Sequence, residues 1–245
     1  MMGKLWHKVK KVQDQCRPLC TAIVPAAGTS RRMGGENKLF ADLAGMPVLM
    51  RTLRAIDQTE LVDEIVVAAQ EELLLDVADL CSHAELKKPV RVVKGGATRA
   101  ESVLSAALEA NPKAELLAVH DGARPLVSSA AFDEVIRFAC RTYAAAPAVA
   151  VTDTIKVADA NGLVADTPDR DTLYAVQTPQ VFQANMLRAA LQDALKSGAA
   201  VTDDCAAVER LGKQVYLTAG DPENIKITTP VDLAIAEVIL KNRGQ

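Results

Sequence analysis

The stretch TAIVPAAGTSRRMGGENKLF, Thr21 to Phe40, opens on the apolar run Ala22-Ile23-Val24, then passes into small residues, paired arginines, paired glycines and a lysine. An apolar run without polar alternation reads as a strand covered on both faces. The loop after it is both Gly-rich and cationic. Pro25, Ala26, Ala27 and Gly28 carry little side-chain bulk, so a ligand can lie against their backbone and the N–H groups can close on an anion. Neither the dinucleotide fingerprint G-x-G-x-x-G nor the P-loop pattern is present. What this loop adds is charge, in Arg31, Arg32 and Lys38, and cations over a phosphate chain suit a triphosphate. Solvated surface charge beside a turn is the competing explanation.

Outward from this stretch, short apolar runs alternate with helical periodicity. Further strands are expected at Glu64–Ala69, Val90–Val93 and Leu116–His120. Helices are expected at Pro47–Ile56, Glu71–Leu80, Thr98–Ala110 and Ala131–Tyr143. Thr98 and Glu101, in T-R-A-E, form a capping box. This order predicts an α/β fold with a mostly parallel, doubly wound sheet in which right-handed crossovers cover both faces. Ligands of such sheets sit beyond the carboxyl ends of the strands, so three loops should share one rim: 29–38, GGATR with Gly95 and Gly96, and HDGARP with Asp121.

The stretch from Ala148 to Phe182 differs. It reads as two or three short alternating strands, with a turn at A-N-G and a polar interruption at T-P-D-R-D. A projecting β-arm over about 150–177 fits this pattern. Such a hairpin is marginal alone and should pack on something, either a second subunit or the edge of its own domain. Beyond it, helices are expected at Ala184–Lys196 and Asp203–Leu211, the latter capped by Thr202. A strand in QVYLTAGD leads into PENIKIT, and a last helix starts at Thr229-Pro230 with proline in its first turn. Lys226, flanked by Ile225 and Ile227, should point to the opposite face from them, into a cleft. The chain divides into an N-terminal extension, 1–19, and one domain, 20–245.

Composition narrows the function classes. With 49% hydrophobic and 24% charged residues in 245, a packed core is available. A net charge of -3 argues against a general nucleic-acid binder. The 5 cysteines form no C-x-x-C pair, and the 3 histidines show no metal-ligand spacing. Plain thiols in a reducing, cytoplasmic setting follow. No apolar run approaches a membrane span, so no membrane partner is expected. The basic residues Lys4, Lys8, Lys10 and Lys11 alternate with Leu5, Trp6, Val9 and Val12 but lack the apolar core of a signal peptide. They suit a frayed or helical extension, with an interfacial amphipathic helix as the alternative.

The ordered set PAAGTSRRM with a following lysine, GGATRAES, VHDGARP, TPQVF, TDD and ENIKIT resembles the 2-C-methyl-D-erythritol 4-phosphate cytidylyltransferases. The similarity spans Thr21 to about Ala236. It implies a Rossmann-like three-layer domain that dimerises through its β-arm. The implied reaction moves the cytidylyl group of CTP to a polyol phosphate and expels pyrophosphate, with Mg²⁺ as cofactor. By this resemblance Arg32, Lys38 and Lys226 are catalytic, and Pro25, Ala26, Ala27, Gly28, Gly95, Gly96, Ser102 and Asp121 bind the nucleotide. Asp121 also takes the metal. Arg124, Thr154, Arg170, Thr178 and Thr202 bind the acceptor phosphate, with Thr154 and Arg170 reaching a partner's site from the arm. Ala97, where some members carry an acid, and Gly122, where most carry alanine, depart from the pattern. His120 is expected to be packed rather than catalytic. A ribitol 5-phosphate or other polyol-phosphate cytidylyltransferase is the alternative within the same chemistry. A non-catalytic nucleotide-binding module is the alternative outside it.

Overall fold

Ala22 and Val24 pack into one hydrophobic cluster and Ile23 into another, and all three are completely buried. That alternation between two dry faces is the signature of a sheet sandwiched between helices. The computed structural model describes residues 17–27 and 37–244. Strand β1, Cys20–Ala26, lies between β2, Glu64–Ala69, and β4, Leu116–Val119, and is parallel to both. Strand β3, Val90–Lys94, adds in parallel beyond β2. These four strands lie where the apolar runs placed them.

The helices obey their caps. Helix α1 is Val48–Asp57; α2, Leu74–His83, follows a 3₁₀ turn at Glu71–Leu73 rather than starting at Glu71 as expected. Helix α3, Arg99–Glu109, carries the Thr98–Glu101 capping box, and Ser128 caps α4, Ser129–Thr142. Helix α5 is Ala184–Lys196, as expected from its periodicity. Helix α6, Asp204–Arg210, is capped by Asp203, whose side chain accepts from Ala206 N. The expected cap, Thr202, is exposed one residue earlier; a carboxylate is at least as good an N-cap and here takes the position. Helix α7, Pro230–Asn242, starts with proline behind Thr229. Helices α1, α2, α4 and α7 bury residues in one cluster, and α3, α5 and α6 in the other. No helix among the described residues is long and apolar enough to cross a membrane.

The second half of the sheet contains a correction. Ala144–Ala150, AAAPAVA, forms β5 in the main sheet, although alanine and proline are poor strand formers. Burial overrides propensity here, because Ala144, Ala145 and Ala146 are fully enclosed between the two helical layers. Pro147 falls where the antiparallel neighbour of β5 changes from β9, Gln180–Gln183, to β8, Tyr174–Val176, a break that tolerates a missing donor. Strand β9 also runs antiparallel to β4, and β10, Tyr216–Ala219, pairs in parallel with β5. The order is β3-β2-β1-β4-β9-β5-β10, with β8 on β5, giving eight strands. The arm proper is therefore shorter than expected. Only β6, Val157–Ala158, and β7, Val164–Asp166, leave the main sheet, and they pair with each other. Their turn is the expected one: Asp159 Oδ1 accepts from Asn161 N and Leu163 N, and Gly162 takes a φ of +81°.

Candidate active site

Four segments end on the same rim. Strand β1 delivers Pro25, Ala26 and Ala27, β3 leads into Gly95–Ser102, β4 into His120–Arg124, and the segment after β10 into Lys226. Pro25, Ala26, Ala27, Lys38, Ser102, Asp121 and Lys226 line one cleft there. Gly28, Arg31 and Arg32 lie outside the described residues.

The glycine pair is required sterically. A Cβ at Gly95 would come 2.9 Å from Ser102 Oγ and 3.1 Å from Ala27 Cβ, and one at Gly96 would come 2.2 Å from Glu101 Cβ. Ser102 Oγ accepts from Gly96 N at 3.1 Å and donates toward Thr98 O at 2.9 Å, so its hydroxyl shapes the loop from within. Glu101 Oε2 accepts from Ala97 N at 2.6 Å. The loop at the carboxyl end of β3 is thus shaped by its own side chains, and Ala97, Thr98, Arg99 and Ser102 line the cleft.

Asp121 is the electrostatic centre. Its Oδ1 accepts from Arg99 Nη1 at 2.6 Å, while Oδ2 faces Lys226 Nζ at 2.9 Å and Arg124 Nε at 3.4 Å. Burial by itself raises a carboxyl pKa, but Arg99, Lys226 and Arg124 outweigh it and hold Asp121 well below the usual carboxylate range. Lys226 reaches this point from an extended segment, not from the expected strand-like run. The segment is tied down by Ile227 N donating to Ala123 O at 2.8 Å and Arg124 Nη1 donating to Asn224 O at 2.6 Å. Ile227 is fully buried and Lys226 opens into the cleft, so the side-chain alternation expected around Lys226 holds without a sheet partner.

Thr178 and His120 support Asp121 from below. Asp121 N donates to Thr178 Oγ1 at 3.1 Å, and that hydroxyl lies 3.0 Å from His120 Nδ1. His120 Nε2 lies 3.1 Å from Arg124 O, which can only accept. Nε2 therefore carries the proton and Nδ1 accepts from Thr178. Burial pushes the pKa of His120 down to about 4, leaving it neutral, packed at 5.4 Å from the Phe132 ring. Thr178, expected to meet the acceptor phosphate, instead has its hydroxyl engaged in this buried chain.

Two residues with no assigned role complete the cluster. Arg99, the first residue of α3, grips Asp204 through Nη2 at 2.8 Å as well as Asp121. Asp204 is buried, and burial raises its pKa against the pull of Arg99. A cation in the first turn of a helix opposes the helix dipole, so Arg99 has to find carboxylates; that is the available signal in the sequence. Three cations, Arg99, Arg124 and Lys226, face two carboxylates, Asp121 and Asp204, leaving one positive charge in excess for an incoming anion. Among the described residues no group of three or more His, Cys, Asp or Glu is placed to hold a metal. The remaining expected acceptor residues lie elsewhere. Thr154 and Arg170 are exposed on and beside the arm, with Arg170 Nη1 donating to Thr152 O at 3.1 Å, and Thr202 is exposed before α6.

Comparison with known proteins points to one family and one fold. Residues 20–242 match the family model described as IspD: 2-C-methyl-D-erythritol 4-phosphate cytidylyltransferase. The curated enzyme of that description from Caldanaerobacter subterraneus is 43% identical over 227 residues, covering 90% of this chain and 98% of its own length. The one from Parasynechococcus marenigrum is 44% identical over 224 residues, covering 91% and 98%. Among solved structures, 4-diphosphocytidyl-2C-methyl-D-erythritol synthase from Anaerococcus prevotii superposes with a TM-score of 0.82 at 30% identity, covering 91% of this chain and 96% of that one. The Thermus thermophilus 2-C-methyl-D-erythritol 4-phosphate cytidylyltransferase gives 0.73 at 31% identity, covering 91% and 99%.

Proposed function

The chain belongs to the 2-C-methyl-D-erythritol 4-phosphate cytidylyltransferase family, and from that premise we propose how its own residues carry out the reaction. The enzyme transfers the cytidylyl group of CTP to 2-C-methyl-D-erythritol 4-phosphate in isoprenoid precursor biosynthesis, giving 4-diphosphocytidyl-2-C-methyl-D-erythritol and pyrophosphate. An oxygen of the acceptor phosphate attacks the α-phosphorus, and the bond from that phosphorus to the bridging oxygen of pyrophosphate breaks. The nucleophile is already anionic, so no side-chain base is required. What the protein supplies is position and charge.

The observation that carries this assignment of roles is the convergence of Lys226, Arg99 and Arg124 on Asp121 inside a cleft bordered by Ala26, Ala27 and Lys38. The backbone of Ala26, Ala27 and Gly28 accepts the nucleotide, and Gly95 and Gly96 present backbone groups to the base. Arg32 and Lys38 stabilise the charge that develops on the α-phosphate and on the departing pyrophosphate. Lys226 and Arg124 hold the acceptor phosphate in line. The resemblance gives Asp121 to Mg²⁺, but both of its oxygens are held by Arg99, Lys226 and Arg124, so this carboxylate as placed does not fit a metal and no step is routed through one. Mg²⁺ arriving with the triphosphate would neutralise phosphate charge.

The arm supports a dimer. Ile155, Val157, Leu163 and Val164 are exposed on and beside it, a set of apolar side chains that a second copy would cover. The arm of one copy then carries Thr154 and Arg170 to the cleft of the other, where these expected acceptor ligands complete the site.

Pyrophosphate release from CTP and 2-C-methyl-D-erythritol 4-phosphate tests the cleft. Asp121→Asn, which takes the carboxylate from Lys226 and Arg124 and leaves Arg99 with Asp204 alone, should lower kcat by at least about 100-fold while far-UV circular dichroism stays native. Near-normal turnover would remove the Asp121 cluster from the mechanism.

A further inference from the structure

A second cavity lies beyond the Asp121 loop. The segment that gives Asp121, Gly122 and Ala123 to the cleft gives Pro125 and Val127 to this cavity, which measures about 670 Å³ and is also lined by α1 and the end of α7. Arg51, Arg54 and Arg243 line it, and no carboxylate among the described residues does. We infer that this is a second anion site, which takes a small phosphate monoester with an apolar substituent and slows turnover when filled.

Charge and shape carry the binding. Arg51 and Arg54 stand three positions apart on α1 and so share a face, where like charges repel. Their hydrogen bonds among the described residues go to carbonyls, not carboxylates. Arg51 donates from Nε to Leu43 O at 2.5 Å and from Nη2 to Ala44 O at 2.7 Å, and Arg54 from Nε to Ala84 O at 3.2 Å. These neutral partners fix the two guanidinium groups without cancelling their charge. Burial lowers the pKa of Arg51; Asp42 opposes this, and Arg54 adds to it. A phosphate monoester carries close to two negative charges near neutral pH, which matches the two guanidinium groups, and their planar forks suit its oxygens. Met46, Val127 and Leu240 offer apolar wall to its substituent, and the volume falls in the range of small-molecule sites.

Arg243 connects this cavity to the active cleft. Its Nη1 donates to Leu126 O at 2.9 Å, two residues beyond Arg124. Its Nη2 lies 2.7 Å from Glu223 Oε2 and 3.6 Å from Asp221 Oδ2, in the segment that leads to Lys226. An anion in the cavity competes with Glu223 and Asp221 for this guanidinium, so filling the cavity loosens the segment that places Lys226. The coupling, unlike the binding, rests on the role proposed for Lys226.

Calorimetric titration of the full-length protein with hexyl phosphate tests the site, with hexanol and inorganic phosphate as partial probes. Hexyl phosphate should bind at least about tenfold more tightly than either fragment. Arg54→Gln, which gives up a charged donor, should weaken it about tenfold. Gln58→Glu, which adds a carboxylate to the lining at equal volume, should weaken it as well. Lys226→Met should leave the affinity unchanged. Loss of binding in Lys226→Met, with native binding in Arg54→Gln and Gln58→Glu, would place the probe in the acceptor subsite and overturn the proposal. Vesicles of phosphatidic acid, which carry the same headgroup on a surface, should not retain the protein; retention abolished by Gln58→Glu would give the site to a lipid instead. Binding is read without any reaction, so its outcome does not depend on cytidylyl transfer. At saturating substrates, hexyl phosphate should lower the wild-type kcat at least about fivefold, with about tenfold more probe needed in Arg54→Gln. Binding at the arginines without slowing would overturn the regulatory role.

Discussion

The cleft and the arm are built on opposite terms. Around Asp121, the carboxylates are buried, each has a cation within 3 Å, and the backbone beneath is tied by Thr178, Asn224 and Ala123. On the arm, two strands of two and three residues pair only with each other, and Leu163 and Val164 stand exposed at the tip. The cleft is preorganised within one chain, while the arm presents apolar surface that none of the described residues covers. A positioning-and-charge mechanism needs the first property to act on CTP. In the proposed dimer, the second would let another copy finish the acceptor side.

The sharpest way to break this contrast is to damage the cleft. Lys226→Met should lower kcat roughly 1,000-fold, the upper end for one charged donor to a transition state, with the protein still folded. A mild loss would make Lys226 a surface lysine that happens to meet Asp121. Damage to the arm should read differently. Arg170→Ala should raise the acceptor KM about 30-fold with little change in the CTP KM, as a lost charged contact to one substrate requires. The reverse split would move Arg170 to the nucleotide. Mixing the two variants at an acceptor concentration well below the Arg170→Ala KM, where both turn over poorly, then separates chains. If the arm acts across a dimer, hybrids of Lys226→Met with Arg170→Ala contain one intact site, and about a quarter of wild-type turnover returns after subunit exchange. Absence of recovery despite demonstrated exchange would confine the arm to its own cleft.

Legibility follows the same divide. The first four strands and their helices are readable because apolar runs and caps such as Thr98–Glu101 are local signals. Strand β5 is not, since AAAPAVA acquires strand character only from the helices that bury it. Asp121 and Lys226 are legible from their motifs and flanking apolar residues. Arg99 and Asp204 escape notice because T-R-A-E and T-D-D each have a sufficient local explanation as caps; their pairing spans 105 positions in sequence, which no local pattern encodes. The arm's turn is readable from A-N-G, whereas its boundaries are not, because β8 and β9 return to the main sheet.

The buried support beneath Asp121 makes a prediction about pH. His120 titrates near 6.5 when unfolded and at about 4 when folded, so the unfolded chain binds the extra proton between those values. Its contribution to stability is complete above about pH 6.5 and is lost as pH falls toward 4. From pH 6.5 to 5 the loss should be about 1–2 kcal/mol. Asp204, whose pKa burial raises, contributes with the opposite sign, so the test is a difference: urea midpoints against pH for wild type and His120→Gln. Parallel curves would show that His120 takes up its proton without unfolding.

The smallest expected effect concerns the helix that carries Asp204. Asp203 caps α6 by accepting from Ala206 N at 2.9 Å and also accepts from Gln180 Nε2, while Thr202 is exposed. Asp203→Ala should therefore cost about 1 kcal/mol of stability, the usual loss of an N-cap. Thr202→Ala should cost under about 0.5 kcal/mol, as at other exposed positions. Chemical denaturation of both variants distinguishes the two caps directly, and equal losses would return the cap to Thr202. The comparison also reaches the cleft. Loosening the first turn of α6 moves Asp204, the partner of Arg99, so Asp203→Ala should weaken CTP binding slightly and Thr202→Ala should not. On the arm, by contrast, removing the Asp159 side chain that closes the β6–β7 turn should leave CTP binding at the wild-type value, because that turn touches nothing that holds the nucleotide.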